Sequence, residues 1–185
     1  MKKLAVVVGH SKADKGAYSP ILKNSEYDWN SDLAKTIASA SSPTLEIKVF
    51  YRDMGGIPGA YGAGDSWGAD AFIELHFNSS HNTTSIGTGI LYQTSKSKPL
   101  AQELFKELHE VLELQAWPEG SGGVCTPFQA SGSQERGKKS LTASKKPSAL
   151  IEPFFGSNPK DPDIAAAKKA DMAAAILKSA VTFFG

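Results

Sequence analysis

The sequence has one cysteine, Cys125, among 185 residues. A single thiol cannot form an intrachain disulfide, and a zinc site built from several cysteines is excluded. Any metal must be held by His, Asp or Glu. Histidine is scarce as well: His10, His76, His81 and His109 are the full set. A charge of one sign is also lacking, since twenty basic residues face nineteen acidic ones for a net charge of +1. The basic excess of a dedicated nucleic-acid binder is missing, and no nucleic-acid partner is expected. No segment reaches the ~18–20 apolar residues that cross a bilayer, so no membrane insertion is expected. The apolar run after Met1-Lys2-Lys3, from Leu4 to Val8, falls short of the ~7–15 residues of a signal-peptide core. It reads as a buried first strand, and synthesis in the cytoplasm without a signal peptide is the expectation.

What is present suits one domain spanning 1–185. At roughly 100–200 residues per domain the length predicts one domain with no more than a short appendage, and no separate wall-binding domain is expected. Its 41% apolar and 21% charged residues can bury a core. Short apolar runs alternate with helical patterns, which predicts an α/β fold: a twisted, mixed but mostly parallel sheet of about six strands flanked by helices. Strands are predicted at Leu4–Val8, Leu45–Tyr51, Ala71–His76, Gly89–Tyr92 and Ala149–Glu152, with a short one near Lys138–Leu141. A helix capped by Ser25, with Asp28 three residues on, buries Trp29, Leu33, Ile37 and Ala40. A second follows Ser97 and Pro99 and buries a stripe from Leu100 to Leu112. A third begins at Asp161-Pro162, read as N-cap and proline at N1, and runs almost to the C-terminus. Asp53–Ala69, with six glycines, and Ala116–Ser148, with five glycines and six serines, read as long loops, and loops of that length tend to be functional.

Two histidines end strands. His10 follows the first strand in Val8-Gly9-His10-Ser11, and His76 follows the third in Glu74-Leu75-His76-Phe77-Asn78. Residues at the carboxyl ends of strands in open α/β sheets face the ligand crevice. The alternative is that each only caps its strand with a hydrogen bond. Glu26 lies in the first turn of the first helix and Glu152 ends the last strand. Glu26 can simply favour the helix dipole, and Glu152 can pair with a lysine. A glutamate in an apolar strand end is nevertheless costly unless paired, bound or solvated. Spacing alone does not separate these readings, because the four residues form no local motif such as H-E-x-x-H.

The ordered series Gly9-His10-Ser11, Lys15-Gly16-Ala17, Glu26 with Asn30, Tyr51-Arg52-Asp53, Ile73 to Asn78, Gly87-Thr88-Gly89, Arg136-Gly137 and Leu150 to Asn158 resembles the zinc-dependent N-acetylmuramoyl-L-alanine amidases of the type 3 family, found in bacterial cell-wall amidases and phage endolysins. It covers nearly the whole chain in the right order. The resemblance implies one zinc ion held by His10, Glu26 and His76, with Glu152 catalytic. Three protein ligands leave the open fourth position that a catalytic zinc needs. The implied reaction is hydrolysis of the amide between N-acetylmuramic acid and L-alanine in peptidoglycan, with the protein acting on the cell wall as a phage or prophage lysin and expected to be a monomer.

Asn78, Glu74, His81 and Arg136 are expected on the substrate side of the site. Strand alternation puts Glu74 on the same face as His76, where it can also support that ligand. The sequence departs from the family pattern in places. Ser11-Lys12 stands where a second glycine is usual, Glu74 where a serine-like residue is usual, and Pro153 after Glu152; Asp53–Ala69 has no basic residue. Trp67, Trp117 and Tyr61 are candidates for stacking on sugar rings, and the lysines at 138, 139, 145 and 146 for a wall-attracting patch. His109 reads as a surface residue. Cys125 has no basic neighbour to activate it as a nucleophile. Two other readings are a zinc amidohydrolase of small N-acyl amino acids and an inert wall-binding module. Glycine-rich open loops favour a polymer over the first, and the presence of all four site residues speaks against the second.

Overall fold

A computed structural model describes residues 1–40 and 42–185. The sheet has six strands in the order β4-β1-β5-β8-β6-β7. These are β1 (Lys2–Val8), β4 (Leu45–Tyr51), β5 (Ala71–Leu75), β6 (Gly89–Tyr92), β7 (Val124–Cys125) and β8 (Ser148–Glu152); β2 (Tyr18–Ser19) and β3 (Asn24–Ser25) form a separate small hairpin. β1 pairs in parallel with β4 and β5, and β5 in parallel with β8. β6 runs antiparallel to β8, so Gly89, its first residue, lies opposite Glu152, the last of β8. The expected mixed, mostly parallel sheet is what the chain forms.

Seven helices are described: α1 (Glu26–Ser39), α2 (Gly56–Trp67), α3 (Lys98–Leu112), α4 (Pro127–Ser131), α5 (Lys138–Leu141), α6 (Asp161–Ala167) and α7 (Lys169–Phe184). The side chains of β1 alternate between the two faces of the sheet. Leu4, Val6 and Val8 join Leu33, Ile37, Leu104, Leu108 and Ile176 in the larger core under α1, α3 and α7. Ala5 and Val7 face the other way, into a smaller core with Phe72 and with Ala60 and Tyr61 of α2. With both faces covered, Leu4–Val8 of β1 and the whole of β5 are buried, and apart from Glu74 they read as apolar runs.

The structure corrects several sequence expectations. Asp53–Ala69 is not a loop, because α2 fills most of it. Four glycines in twelve residues disfavour a helix by roughly 1 kcal/mol each, yet packing outweighs propensity. Tyr61 stacks on Phe72 at 4.8 Å, and a Cβ on Gly64 would come within 2.4 Å of the Phe72 ring. Small residues let the helix lie close on the sheet. Ala116–Ser148 likewise contains β7, α4 and α5, and Lys138–Leu141 is a helical turn rather than a strand. Ala40 is the C-cap of α1 and not part of its buried stripe. The C-terminal helix is two helices, meeting at Lys168. Lys160 occupies the N-cap of the first. Asp161 is instead fully buried, and its carboxylate accepts from the backbone N–H groups of Gly87 and Phe155 at 3.0 and 3.1 Å.

Candidate metal centre and active site

β1, β5 and β8 are neighbours in the sheet and deliver His10, His76 and Glu152 at their carboxyl ends. The hydrogen bonds of Gly9 N–H to Leu75 O (3.0 Å) and His76 N–H to Ile151 O (3.0 Å) continue the ladder past the strand ends. α1 brings in the fourth group. Ser25 caps it by accepting from Asp28 N–H at 3.1 Å, and the next residue is Glu26. The helix thus begins at the site and points Glu26 into it.

Glu26 is buried and uses both oxygens. Oε1 lies 2.7 Å from His76 Nδ1 and accepts from Phe77 N–H at 3.2 Å. Oε2 lies 3.2 Å from His10 Nε2 and accepts from Ala17 N–H at 3.2 Å. Burial pushes this carboxyl up, but hydrogen bonds from His10 and His76 outweigh it and hold the group down to about 2. The loop carrying His10 is pinned by Asp53, which accepts from Lys12 N–H at 2.7 Å and from the Tyr27 hydroxyl at 2.8 Å. His10 itself has φ +64°, a left-handed conformation that costs a non-glycine residue about 1–3 kcal/mol. That strain places the ring where it meets Glu26.

Two glycines clear the space. A Cβ on Gly9 would lie 2.5 Å from His76 Cε1. One on Gly16, which has φ +71°, would lie 2.6 Å from His10 Cδ2 and 2.7 Å from Glu26 Oε2. Neither residue carries a role in the sequence reading, although both stand in the quoted motifs and Gly9 directly precedes His10.

Among the described residues, one group of three or more His, Cys, Asp or Glu can hold a metal: His10, Glu26 and His76, with donor atoms all within 4.8 Å of one another. Hydrogen-bond chemistry supports a cation there. The His76 ring lies between two carboxylates, with Nδ1 2.7 Å from Glu26 and Nε2 2.7 Å from Glu74. Carboxylates only accept. One ring proton serves one of them, and a cation on the other nitrogen satisfies the second. Two imidazoles and a carboxylate are a donor set that zinc accepts.

Glu152 lies in the same cavity, of about 760 Å³, as the three metal-holding candidates. Its Oε2 is buried with no hydrogen-bond partner. Burial raises this carboxyl to about 8, with His76 opposing the rise and Glu26 adding to it. The loop beyond Glu152 is fixed to the loop beyond His76: Asn78 N–H donates to Phe154 O at 2.9 Å, and Gly156 N–H to Asn78 O at 2.8 Å. Thr88 Oγ1 donates to Pro153 O at 2.8 Å.

Asn78, Arg136, Trp117 and Lys139 line the cavity. His81 does not; it is exposed in the 79–86 segment. Glu74 is fully buried behind His76 and does not line the cavity either. Tyr61 is buried, Trp67 is half-buried and packs on Phe50 at 5.9 Å, and neither lines the cavity. Lys138 pairs with Glu135. His109 is exposed and stacks on Phe105 at 5.1 Å. Cys125 is buried, and its thiol is pushed up to about 12. Arg52 lines the cavity and contacts Glu74, a role the motif Tyr51-Arg52-Asp53 did not disclose. No described helix is long and apolar enough to cross a membrane.

The family model described as N-acetylmuramoyl-L-alanine amidase matches residues 4–181. No curated protein matches the chain. Among solved structures, the fold is similar to the catalytic domain of CwlV, an N-acetylmuramoyl-L-alanine amidase from Bacillus (Paenibacillus) polymyxa var. colistinus, with TM-score 0.82 and 23% identity over 100% of this chain and 98% of that one. It is similar to an N-acetylmuramoyl-L-alanine amidase from Clostridium difficile 630, with TM-score 0.81 and 21% identity over 99% and 96%. It is also similar to the catalytic domain of the CD27L endolysin targeting Clostridia difficile, with TM-score 0.73 and 23% identity over 98% of each chain.

Proposed function

We propose, from the premise that this chain belongs to the N-acetylmuramoyl-L-alanine amidase family, that it is a zinc-dependent hydrolase cutting the amide between N-acetylmuramic acid and L-alanine in peptidoglycan. The observation that carries this reading is one cavity shared by the His10–Glu26–His76 cluster and by Glu152, whose Oε2 is buried without a hydrogen-bond partner.

His10 Nε2, one oxygen of Glu26 and His76 Nδ1 would hold the zinc. When bound there, zinc supplies Lewis acidity that makes water easier to deprotonate and an amide carbonyl easier to attack. The chain's own residues do the rest. Glu152 takes the proton from the attacking water on its unpartnered Oε2 and later delivers it to the leaving L-alanine amine. A carboxyl raised by burial suits that exchange, since an acid–base group works best when its proton affinity lies near the working pH. Asn78 and Arg136, on the cavity wall, are placed to contact the peptide stem, and Trp117 to meet a sugar ring. The site opens through a broad cavity, which supports a polymeric substrate over a small N-acyl amino acid. The likeness to an endolysin catalytic domain supports wall lysis as the biological setting.

The test is purified protein on peptidoglycan, with and without a chelator, with zinc added back, alongside Glu152→Ala. The expected products are new L-alanine amino termini with no new reducing sugar ends. Activity should vanish in chelator and return with zinc. Glu152→Ala should keep zinc and lose roughly 10²–10⁴-fold in turnover. New reducing ends, or full activity in chelator, would overturn the reading.

A further inference from the structure

The buried carboxylate behind His76 is not accounted for by the proposed chemistry. Glu74 is fully buried in β5. Its Oε1 receives three donors: His76 Nε2 at 2.7 Å, Ser140 Oγ at 3.3 Å, and the Arg52 guanidinium. Its Oε2 accepts from the fully buried Tyr61 hydroxyl at 2.8 Å. Arg52 Nη2 also donates to Ser140 Oγ at 2.7 Å, closing a ring of contacts around the carboxylate. The four partners come from the end of β4, from α2, from α5 and from the turn after β5.

A buried ion pair on its own is weak support for stability, because desolvation offsets much of its attraction. This pair is arranged differently from a simple staple. The oxygen that meets Arg52 is the one that meets the imidazole. The guanidinium cancels the carboxylate's charge at a distance and leaves its acceptor in place at short range. A carboxylate accepting from one ring nitrogen fixes the proton there, fixes the ring plane, and makes the other nitrogen a stronger donor to a metal.

We propose that Glu74, held by Arg52, Tyr61 and Ser140, is a positioning residue that locks His76 with Nε2 protonated and Nδ1 turned to the metal, and so sets the affinity of the site for zinc. The proposal rests on the zinc reading above. Charge compensation by Arg52 lets it strengthen one ligand without adding net negative charge to the site.

The test uses Glu74→Gln. Glutamine keeps the size of the side chain. Its carbonyl oxygen can receive the same three donors, and its amide can donate to the Tyr61 hydroxyl, so the fold is preserved while the charge is removed. Zinc affinity is measured on the whole protein by competition with a chromophoric chelator. The zinc-loaded proteins are then compared by ¹⁵N NMR of the His76 ring. The expected result is a Kd for zinc about 10-fold higher in Glu74→Gln and up to about 100-fold higher in Glu74→Ala. The Nε2 signal should also move, while His10 signals stay near their wild-type positions. If Glu74→Ala does not fold, Glu74→Gln decides alone. Unchanged zinc affinity and an unmoved Nε2 signal in the glutamine variant would overturn the proposal. Wild-type protein that binds no zinc would instead overturn the reading on which it rests.

Discussion

Replacing Glu152 by glutamine isolates what it costs the fold to hold a carboxylate in the cavity. In the metal-free protein, burial raises this carboxyl from an ordinary 4.5 to about 8. Between those values the folded protein keeps a proton that the unfolded chain has released. The free energy of unfolding therefore falls as pH rises through that window. At about 1.36 kcal/mol per pH unit, the loss approaches about 5 kcal/mol above pH 8 and vanishes below 4.5. Glutamine is neutral throughout. The variant should match the wild type near pH 4 and exceed it in stability by several kcal/mol at pH 9. Urea unfolding in chelator, repeated at pH 4, 5.5, 7 and 9, reads the difference directly. Subtracting the two proteins cancels the other titrating groups, among them Glu26, which is held down to about 2 and lies outside the window. Loading with zinc should shrink the gap, because a nearby cation favours the charged carboxylate. A gap that does not change with pH would refute the idea that burial governs this group, and so would a variant that loses its advantage at high pH. The same substitution should abolish turnover, so the residue would be one the protein keeps at the expense of its own stability.

Other substitutions probe the rest of the site. Gly16→Ala puts a methyl 2.6–2.7 Å from His10 and Glu26 at a residue with φ +71°; calorimetric titration should show zinc binding weakened at least tenfold, and activity should fall with it. Asp161→Ala strands the buried N–H groups of Gly87 and Phe155, which should lower the unfolding free energy by about 2–5 kcal/mol in urea denaturation. His81→Ala, at an exposed position away from the cavity, should leave the rate of peptidoglycan release within about twofold of wild type, in keeping with the small effects of surface substitutions.

Much of this arrangement was legible in the residues. The unbroken apolar run Leu4–Val8 marks β1 as a buried central strand, and the stripe from Leu100 to Leu112 marks α3. His10, Glu26, His76 and Glu152 were named as a set, though on motif order rather than on local spacing, and the fold brings them to one cavity. What was hidden depended on tertiary packing. α2 looks like a loop because glycine disfavours helices, and only the packed structure shows that Phe72 requires Gly64 and the Met54 carbonyl requires Gly59. Asp161 reads as an N-cap, yet its carboxylate turns inward to join two loops that are distant in sequence. Arg52 and Tyr61 carry no local signal, since their partner Glu74 is more than ten residues away from either. The polar Ser/Asn/Thr stretch around His81 suggests the site mouth, but residues 81–84 do not line the cavity, which the chain meets again at Ser85.

One side of the cavity wall and the residues proposed to bind metal belong to separable parts of the chain. His10, Glu26 and His76 all precede residue 77, whereas Trp117, Ser131, Gln134, Arg136 and Lys139 come from the stretch between α3 and β8. That stretch is a natural cassette. Exchanging it for the matching piece of a relative should change which wall polymers are recognised without altering the residues proposed to bind metal. The graft must retain Ser140, because through it the cassette reaches Glu74, and the pairing of β7 with β6.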